Sequence, residues 1–525
     1  MIQTLNFGTG AADRPSLDLV PPAYRDRLAD LFDTWGAVEG RNRALSRYYD
    51  MKNEMKGLGI SVPPQCERVN SVVGWCSKAV KAHVNRSTFD GYVLASGDSD
   101  ERLDALVRGN RLASLYKSLC SGSLVHGISA ATVMGAPGGA KVRAFSANQC
   151  CALWDKDEGR IACGVTLAGV GRSGEASRYV AHFPDCVLTL SRVYATDPGG
   201  APVPTGAWAC GAEPHRFGRP LMEVFPNDPD LDRPLGHSML TPELLGIVDK
   251  AMRDVLRMEI GAEFFTFPQR YALGVADDLF AAPVDPGAPT DEDGDPVDAD
   301  GNKLPRPTDE YAKLRAYLGA LWTFTRDENG DVPAVGQFSP TSAENFTMTF
   351  ENDAQRFSGA TNVPLAQLGV LSNTYTSSDA LGAANDPLIL EVQAMNLRNR
   401  EVMATVGRMM AAVALGVPLA DLPDEYRTVQ AKFSDPSAPT ISARADAWTK
   451  LGAADPSIVG TRVYYEGVGL DKATIDRLLA EKKEAGVRSA LDSLVELSKG
   501  GSPSLVATSA ARASVHQLPP NEEAE

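Results

Sequence analysis

From Thr241 to Phe265 the chain carries one unbroken amphipathic pattern, and everything around it has to be arranged to serve a single long helix. Thr241 can cap the first amides, and Pro242 at the first helical position forfeits no hydrogen bond. Leu244, Leu245, Val248, Met252, Val255, Leu256 and Ile260 recur at helical spacing, so that face must bury. Lys250, Arg253 and Arg257 fall on roughly the opposite face. At ~1.5 Å per residue the helix spans about 37 Å. A returning helix is predicted from Thr341, where Thr341 and Glu344 have capping-box spacing and Phe346, Phe350, Ala354 and Phe357 form an apolar stripe; Thr347 and Thr349 lower its propensity. A helix climbing out to a tip and another climbing back is an architecture for reaching rather than for chemistry.

Between the two lies an acidic, proline-broken insertion, with nine acids and no base from 277 to 300. Asp291, Asp293 and Asp295 have the opening spacing of a calcium loop, but Pro296 stands where the turn glycine belongs and Asn302 where the final glutamate belongs. A solvated loop is the expected reading. Tyr311 to Phe324 reads as a short helix or strand, and Asn329-Gly330 as a hairpin turn.

The rest predicts an α+β chain, mainly helical. Residues 1–20 read as a loose arm. Tyr24 to Tyr49 is a first helical region with Gly36 and Gly40 as interruptions, and Val69–Val84 and Arg102–Ser121 are further helices. From about 128 to 225, short Val, Thr, Phe and Tyr runs separated by turn residues predict a β-rich lobe. Asp386 and Pro387 open the longest helix, apolar nearly all round, which runs through Leu415 and stops at Gly416 with Pro418 beyond. Its uncharged run after Arg408 is too short to cross a membrane, so it reads as a buried spine. Several short helices follow from 424 to 499, and 500–525 reads as a disordered tail.

With 67 acids against 51 bases, the chain has a formal charge of -16. Proteins that grip nucleic acid by neutralising phosphates carry a basic excess, so any DNA handled here is enclosed or guided instead of tightly bound. The row Lys250, Arg253, Arg257 can still face a polyanion; an ordinary solvated face beside Asp249 and Asp254 is the alternative. The N-terminus shows no basic region followed by an apolar run, so no signal peptide is expected and the chain reads as cytoplasmic.

Chemistry is poorly represented. The eight cysteines lack CxxC pairing and read as reduced, buried thiols; His182, Cys186, Cys210 and His215 lack tight ligand spacing, and no metal or cofactor is expected. Gly169, Gly171 and Gly174 spell GxGxxG, but another strand-like run follows at once, so a β-hairpin turn is predicted in place of a dinucleotide site. GxxxxGK[ST], HExxH and GxSxG are absent, and the chain is expected not to be an enzyme.

Several stretches, in order, resemble the portal proteins of long-tailed bacteriophages: GISVPP at 59–64, VVGW at 72–75, FDGY at 89–92, HRFGRPLMEVFPN at 215–227, LGHSMLTPELL at 235–245, PQRYALG at 268–274, SNTYTSSDAL at 372–381 and ARADAWTKL at 443–451. The likeness covers roughly 24–490, and its specificity lies in the ordered combination. It implies the portal fold: a wing over 21–235, an outgoing stem helix at 236–265, a clip at 266–339, a returning stem helix at 340–361, a tunnel loop and spine helix at 362–416, and a crown at 417–499. It implies a ring, typically of twelve subunits, at one capsid vertex, through which double-stranded DNA passes during packaging and ejection. Large terminase, a head-tail adaptor, and the major capsid and scaffolding proteins are the implied partners, the virion is the implied location with the host cytoplasm during assembly, and no membrane is involved. Asn373, Thr374, Tyr375, Thr376, Ser377 and Ser378 match the loop that family members project into the tunnel, and Lys250, Arg253 and Arg257 become weak stem contacts to DNA. A head assembly component without a channel, and a nucleotide-dependent enzyme using the glycine cluster, are the competing readings.

Overall fold

The computed structural model describes residues 14–54, 71–94, 100–172, 174–197, 202–266, 270–273, 334–337, 344–370, 382–437, 441–470 and 472–499, with 285, 287–292, 294–298 and 300–304 of the acidic insertion. They form two compact units, 1–437 and 438–525.

The first unit opens with helix α1 (Pro22–Tyr49), followed by α2 (Trp75–Arg86), β1 (Phe89–Val93), α3 (Glu101–Gly109) and α4 (Leu112–His126). Gly36 and Gly40 do not interrupt α1, contrary to the sequence expectation. Leu28, Leu31, Phe32 and Trp35 are buried against Tyr179, Leu188 and Trp208 of a sheet, and that packing outweighs the local cost of glycine. The second expected helix starts at Trp75, not Val69. The third is two helices, broken where Arg111 takes a left-handed conformation (φ 51°).

The β-rich lobe is present as β2 (Ile128–Ala136), β3 (Gly139–Ser146), β4 (Cys150–Asp155), β5 (Arg160–Val170), β6 (Ala176–His182), β7 (Cys186–Thr196), β8 (Pro202–Pro214) and β9 (Met222–Pro226). These build a three-stranded sheet in the order β3-β2-β9 and an antiparallel meander β4-β5-β6-β7-β8. The glycine cluster is the predicted hairpin turn: the Gly171 amide donates to the Glu175 carbonyl (2.8 Å), and Gly174 sits at φ 88° between β5 and β6.

Helix α5 (Pro242–Thr266) leads to β10 (Arg270–Leu273), which pairs antiparallel with β11 (Ala334–Gln337), so the insertion returns beside its own start. Helix α6 (Glu344–Thr361) then packs along α5. After a single turn, α7 (Leu365–Leu368), comes α8 (Asp386–Leu415), capped by Gly416 at φ 69° as predicted. Met403, Val406, Met409, Met410 and Ala412 of its C-terminal half are buried, but Leu390, Leu397 and Leu415 are exposed, so it is not buried all round. Gly407 lets α8 pass the ring of Tyr92: a Cβ there would lie 2.8 Å from the ring. Beneath it, Ser87, Tyr116, Asn396 and Asn399 form a buried network, with Tyr116 Oη 2.6 Å from Ser87 Oγ and 2.9 Å from Asn399 Nδ2.

Residues 417–437, grouped with the crown by sequence, pack into this same unit. Helix α9 (Asp424–Arg427) leads to β12 (Gln430–Phe433), which pairs with β1, and Leu422, Tyr426 and Ala431 join the main core. The second unit contains α10 (Ile441–Ala454), α11 (Arg462–Val468) and α12 (Lys472–Lys499). Trp448 meets Tyr464 edge-on at 6.0 Å there, and Lys482 donates to the Tyr465 hydroxyl (2.6 Å). No helix among the described residues is long and apolar enough to cross a membrane.

Candidate nucleic-acid interface

The helix pair α5–α6 carries the cationic row, and its geometry begins with the cap. The Leu244 amide donates to Thr241 Oγ1 (3.4 Å). Leu244, Val248, Met252 and Leu256 are buried as the sequence requires, and the first three share a core with Ala354 and Phe357 of α6. Phe350 and Phe357 reach Trp75 of α2, at ring separations of 5.1 and 5.5 Å. Residues 341–343, and with them the Thr341 half of the expected capping box, lie outside the described residues.

The three cations do not stand alone. Lys250 Nζ donates to Asp353 Oδ1 of α6 at 2.6 Å, and Asp353 is wholly buried while the lysine is 39% exposed. Arg257 Nη1 donates to Asp254 Oδ1 one turn back at 2.8 Å; that carboxylate is buried too. Arg253, half-buried, is also engaged. Oδ2 of both Asp254 and Asp353 has no hydrogen-bond partner among the described residues. Lys250 and Arg257 therefore serve first as counter-ions for two buried carboxylates, one on α6 and one on α5 itself, and present only part of each charge outward. Asp249, by contrast, accepts the hydroxyl of Tyr48 from α1 (2.8 Å).

Asn373, Thr374, Tyr375, Thr376, Ser377 and Ser378 lie outside the described residues, but the chain on either side of them is held by α2. Lys78 donates to the Leu368 carbonyl (3.0 Å), and Arg86 donates to Asn385 Oδ1 (2.8 Å), which also accepts from Gln367 (3.2 Å). His83 meets Glu391 at 2.7 Å, and Glu391 accepts from Asn362 (2.7 Å). These polar side chains escape sequence reasoning because nothing local distinguishes them from solvated residues on an amphipathic helix.

Within the acidic insertion, two of the carboxylates meet a lysine. Lys303 Nζ lies 2.9 Å from Asp291 and 3.1 Å from Asp295, and those two carboxylates raise its pKa. Asp291 and Asp295, two of the three acids at calcium-loop spacing, are thus paired with a lysine beside turns with left-handed glycines, Gly294 and Gly301, and Asp293 lies outside the described residues. Tyr311–Phe324 and Asn329-Gly330 lie outside the described residues. His215 comes near enough to His182 to lower its pKa, and Cys186 near enough to Cys210 to be raised by it, while the β7–β8 ladder sets Cys186 opposite Pro214 and Cys210 opposite Leu190. Among the described residues no group of three or more His, Cys, Asp or Glu could hold a metal ion. Six of the cysteines are free and buried and Cys210 is half-buried.

The portal protein of Mycobacterium phage D29 is 25% identical over 447 residues, 82% of either chain, and that of Mycobacterium phage L5 is 24% identical over 442 residues with the same coverage. Among solved structures, the neck of an empty GTA particle computed with C6 symmetry aligns with a TM-score of 0.42 at 13% identity, over 84% of this chain and 93% of that one. The neck of a native GTA particle computed with C12 symmetry gives 0.38 at 14%, over 75% and 89%. The description "Phage portal protein, SPP1 Gp6-like" fits residues 38–486, and across that span, most of its length, the chain belongs to the SPP1 Gp6-like phage portal protein family.

Proposed function

We propose that this chain assembles into a ring, of twelve copies, that forms the DNA conduit at one capsid vertex. The observation that carries the reading is the family match over 38–486. On this reading α5 and α6 are the stem, the insertion closed by β10 and β11 is the clip, the β-rich lobe belongs to the wing, and the second unit belongs to the crown. The role is structural and not enzymatic: nucleation of head assembly, docking of large terminase during packaging, and joining of the head-tail adaptor, with major capsid and scaffolding proteins around the ring. The chain works in the virion at the capsid vertex and is made in the host cytoplasm.

Lys250, Arg253 and Arg257 give weak, salt-sensitive contacts to passing double-stranded DNA, and residues 373–378 give steric ones. The ion pairs to Asp353 and Asp254 support the weakness of the stem contacts. Cryo-electron microscopy of the purified protein, with symmetry left free, is expected to show rings with a central hole. A persistent monomer under assembly conditions, or a head component without a hole, would sink the proposal. Enlarging Thr376 or Ser377 is expected to impair DNA packaging or retention while rings still form.

A further inference from the structure

An open groove of ≈ 610 Å³ runs between the outer edge of β3 and the end of β5, and nothing in the conduit reading uses it. Strand β3 is terminal in its sheet, so one row of its main-chain groups faces away from β2. The side chain of Asn110 occupies the first part of that row: its Nδ2 donates to the Ala140 carbonyl and its Oδ1 accepts from the Val142 amide, both at 2.9 Å. Those bonds fix the parity of the strand. Even-numbered residues turn their N–H and C=O outward, so Ala144 does as well, opposite Ala131 in the ladder. Beyond the reach of Asn110, the Ala144 main chain has no partner among the described residues.

Across the groove, Ala168–Val170 of β5 runs past the end of β4 and is flanked by β6 on one side only. Leu115, Phe145 and Leu167 contribute apolar surface. Lys141 and Arg143 are the charged residues of the lining, both exposed and neither with a partner among the described residues, and the lining holds no acid. In a chain of charge -16 this is a local reversal of sign. The opposite edge of the lobe is treated differently: β8, the outer strand of the meander, carries Pro202, Pro204 and Pro214, which cannot donate to an incoming strand.

We propose that this groove takes one extended segment of another polypeptide, added as a strand along Ala144 of β3, with acidic side chains beside Lys141 and Arg143. Main-chain bonds to the exposed edge hold the segment, and alternate acidic positions select it. A duplex nucleic acid would use the two cations but not the unpaired main chain or the apolar surface. The inference stands apart from the conduit reading, because peptide titration can be read whether or not rings form.

The probe is a short fluorescein-labelled peptide alternating glutamate and valine, followed by anisotropy, with hydrogen exchange to locate it. Saturable binding is expected, with new protection at residues 142–146. The Ala144→Pro variant removes the outward N–H without touching the β2 ladder, and Lys141→Glu/Arg143→Glu reverses the charge; each is expected to weaken binding by about tenfold. The charge variant keeps the test readable if the proline variant fails to fold. Four results would each overturn the inference: no binding, equal binding of the same peptide with a central proline, protection elsewhere, or displacement of the peptide by a short DNA duplex.

Discussion

Replacing Lys250 with methionine tests whether the basic row of α5 is built first for the helix pair. The change removes the cation 2.6 Å from Asp353 Oδ1, in a carboxylate that is fully buried and whose Oδ2 has no partner among the described residues. Removing one member of an enclosed ion pair costs about 3–5 kcal/mol, because the remaining charge is left in a poor solvent. Lys250 is 39% exposed, so water can enter the vacated space, and about 2 kcal/mol is the expected loss here. A chain of two units does not unfold in one step, so the loss is best read locally, by hydrogen exchange of α5 and α6. A loss of about 2 kcal/mol corresponds to roughly thirtyfold faster exchange through local opening. Lys250→Met/Asp353→Leu, which replaces the pair with apolar groups, is expected to restore most of the protection. Unchanged exchange in Lys250→Met, or a double variant as labile as the single one, would refute the reasoning and return Lys250 to an ordinary solvated face.

Asp353→Asn releases the lysine from its counter-ion, and DNA retention by assembled rings is expected to become stronger and more salt-sensitive; an unchanged salt slope in a retention assay would count against it. Gly407→Ala drives a methyl group into the ring of Tyr92 and is expected to cost about 1–3 kcal/mol, read as faster hydrogen exchange in α8, and unchanged exchange there would refute it. Tyr116→Phe strips the hydroxyl that Ser87 and Asn399 share and is expected to cost about 1–3 kcal/mol by the same measurement. Burial holds the His182 pKa down to about 3, with His215 adding to the effect. The unfolded chain therefore binds a proton that the folded lobe refuses, so stability is fully present above pH ~6.5 and declines as the pH falls toward 3. His182→Gln is expected to shrink the loss of hydrogen-exchange protection in β6 and β7 between neutral pH and pH 5, and an equal loss in both proteins would refute this.

What the sequence makes legible follows from how local the cause is. Helices α5 and α8 announce their limits through Thr241, Pro242, Pro387 and Gly416, whose effects act within one turn. The glycine hairpin is equally local. The break between α3 and α4 is not, because Arg111 in a left-handed conformation is a choice that the surrounding packing imposes on a residue with no preference for it. Nor could the pairing of β1 with β12 be foreseen, since its two strands lie at 89–93 and 430–433 and neither carries a turn signal pointing to the other. At the candidate interface the cations and the neighbouring Asp254 were visible, and Asp353 was not. Asp353 sits beside Ala354 on a helix whose stripe is read from Phe350 and Phe357, and an acid next to such a stripe looks solvated until α5 covers it.

That hidden pairing bears on how a conduit could work. A row of free lysines around a channel would release a counter-ion for each phosphate contacted, and affinity would accumulate with every subunit in a ring. Lys250 and Arg257 instead arrive with counter-ions already covalently tethered to the same chain, at 2.6 and 2.8 Å. A passing phosphate must compete with a carboxylate that cannot leave, and the carboxylate, being buried, cannot turn to water while the cation is away. The cation therefore keeps its position and lends only its outer side. On the proposed reading this makes each stem contact brief and interchangeable along the DNA, which is the behaviour sliding requires, and in the Lys250–Asp353 pair the same bond also holds α5 to α6.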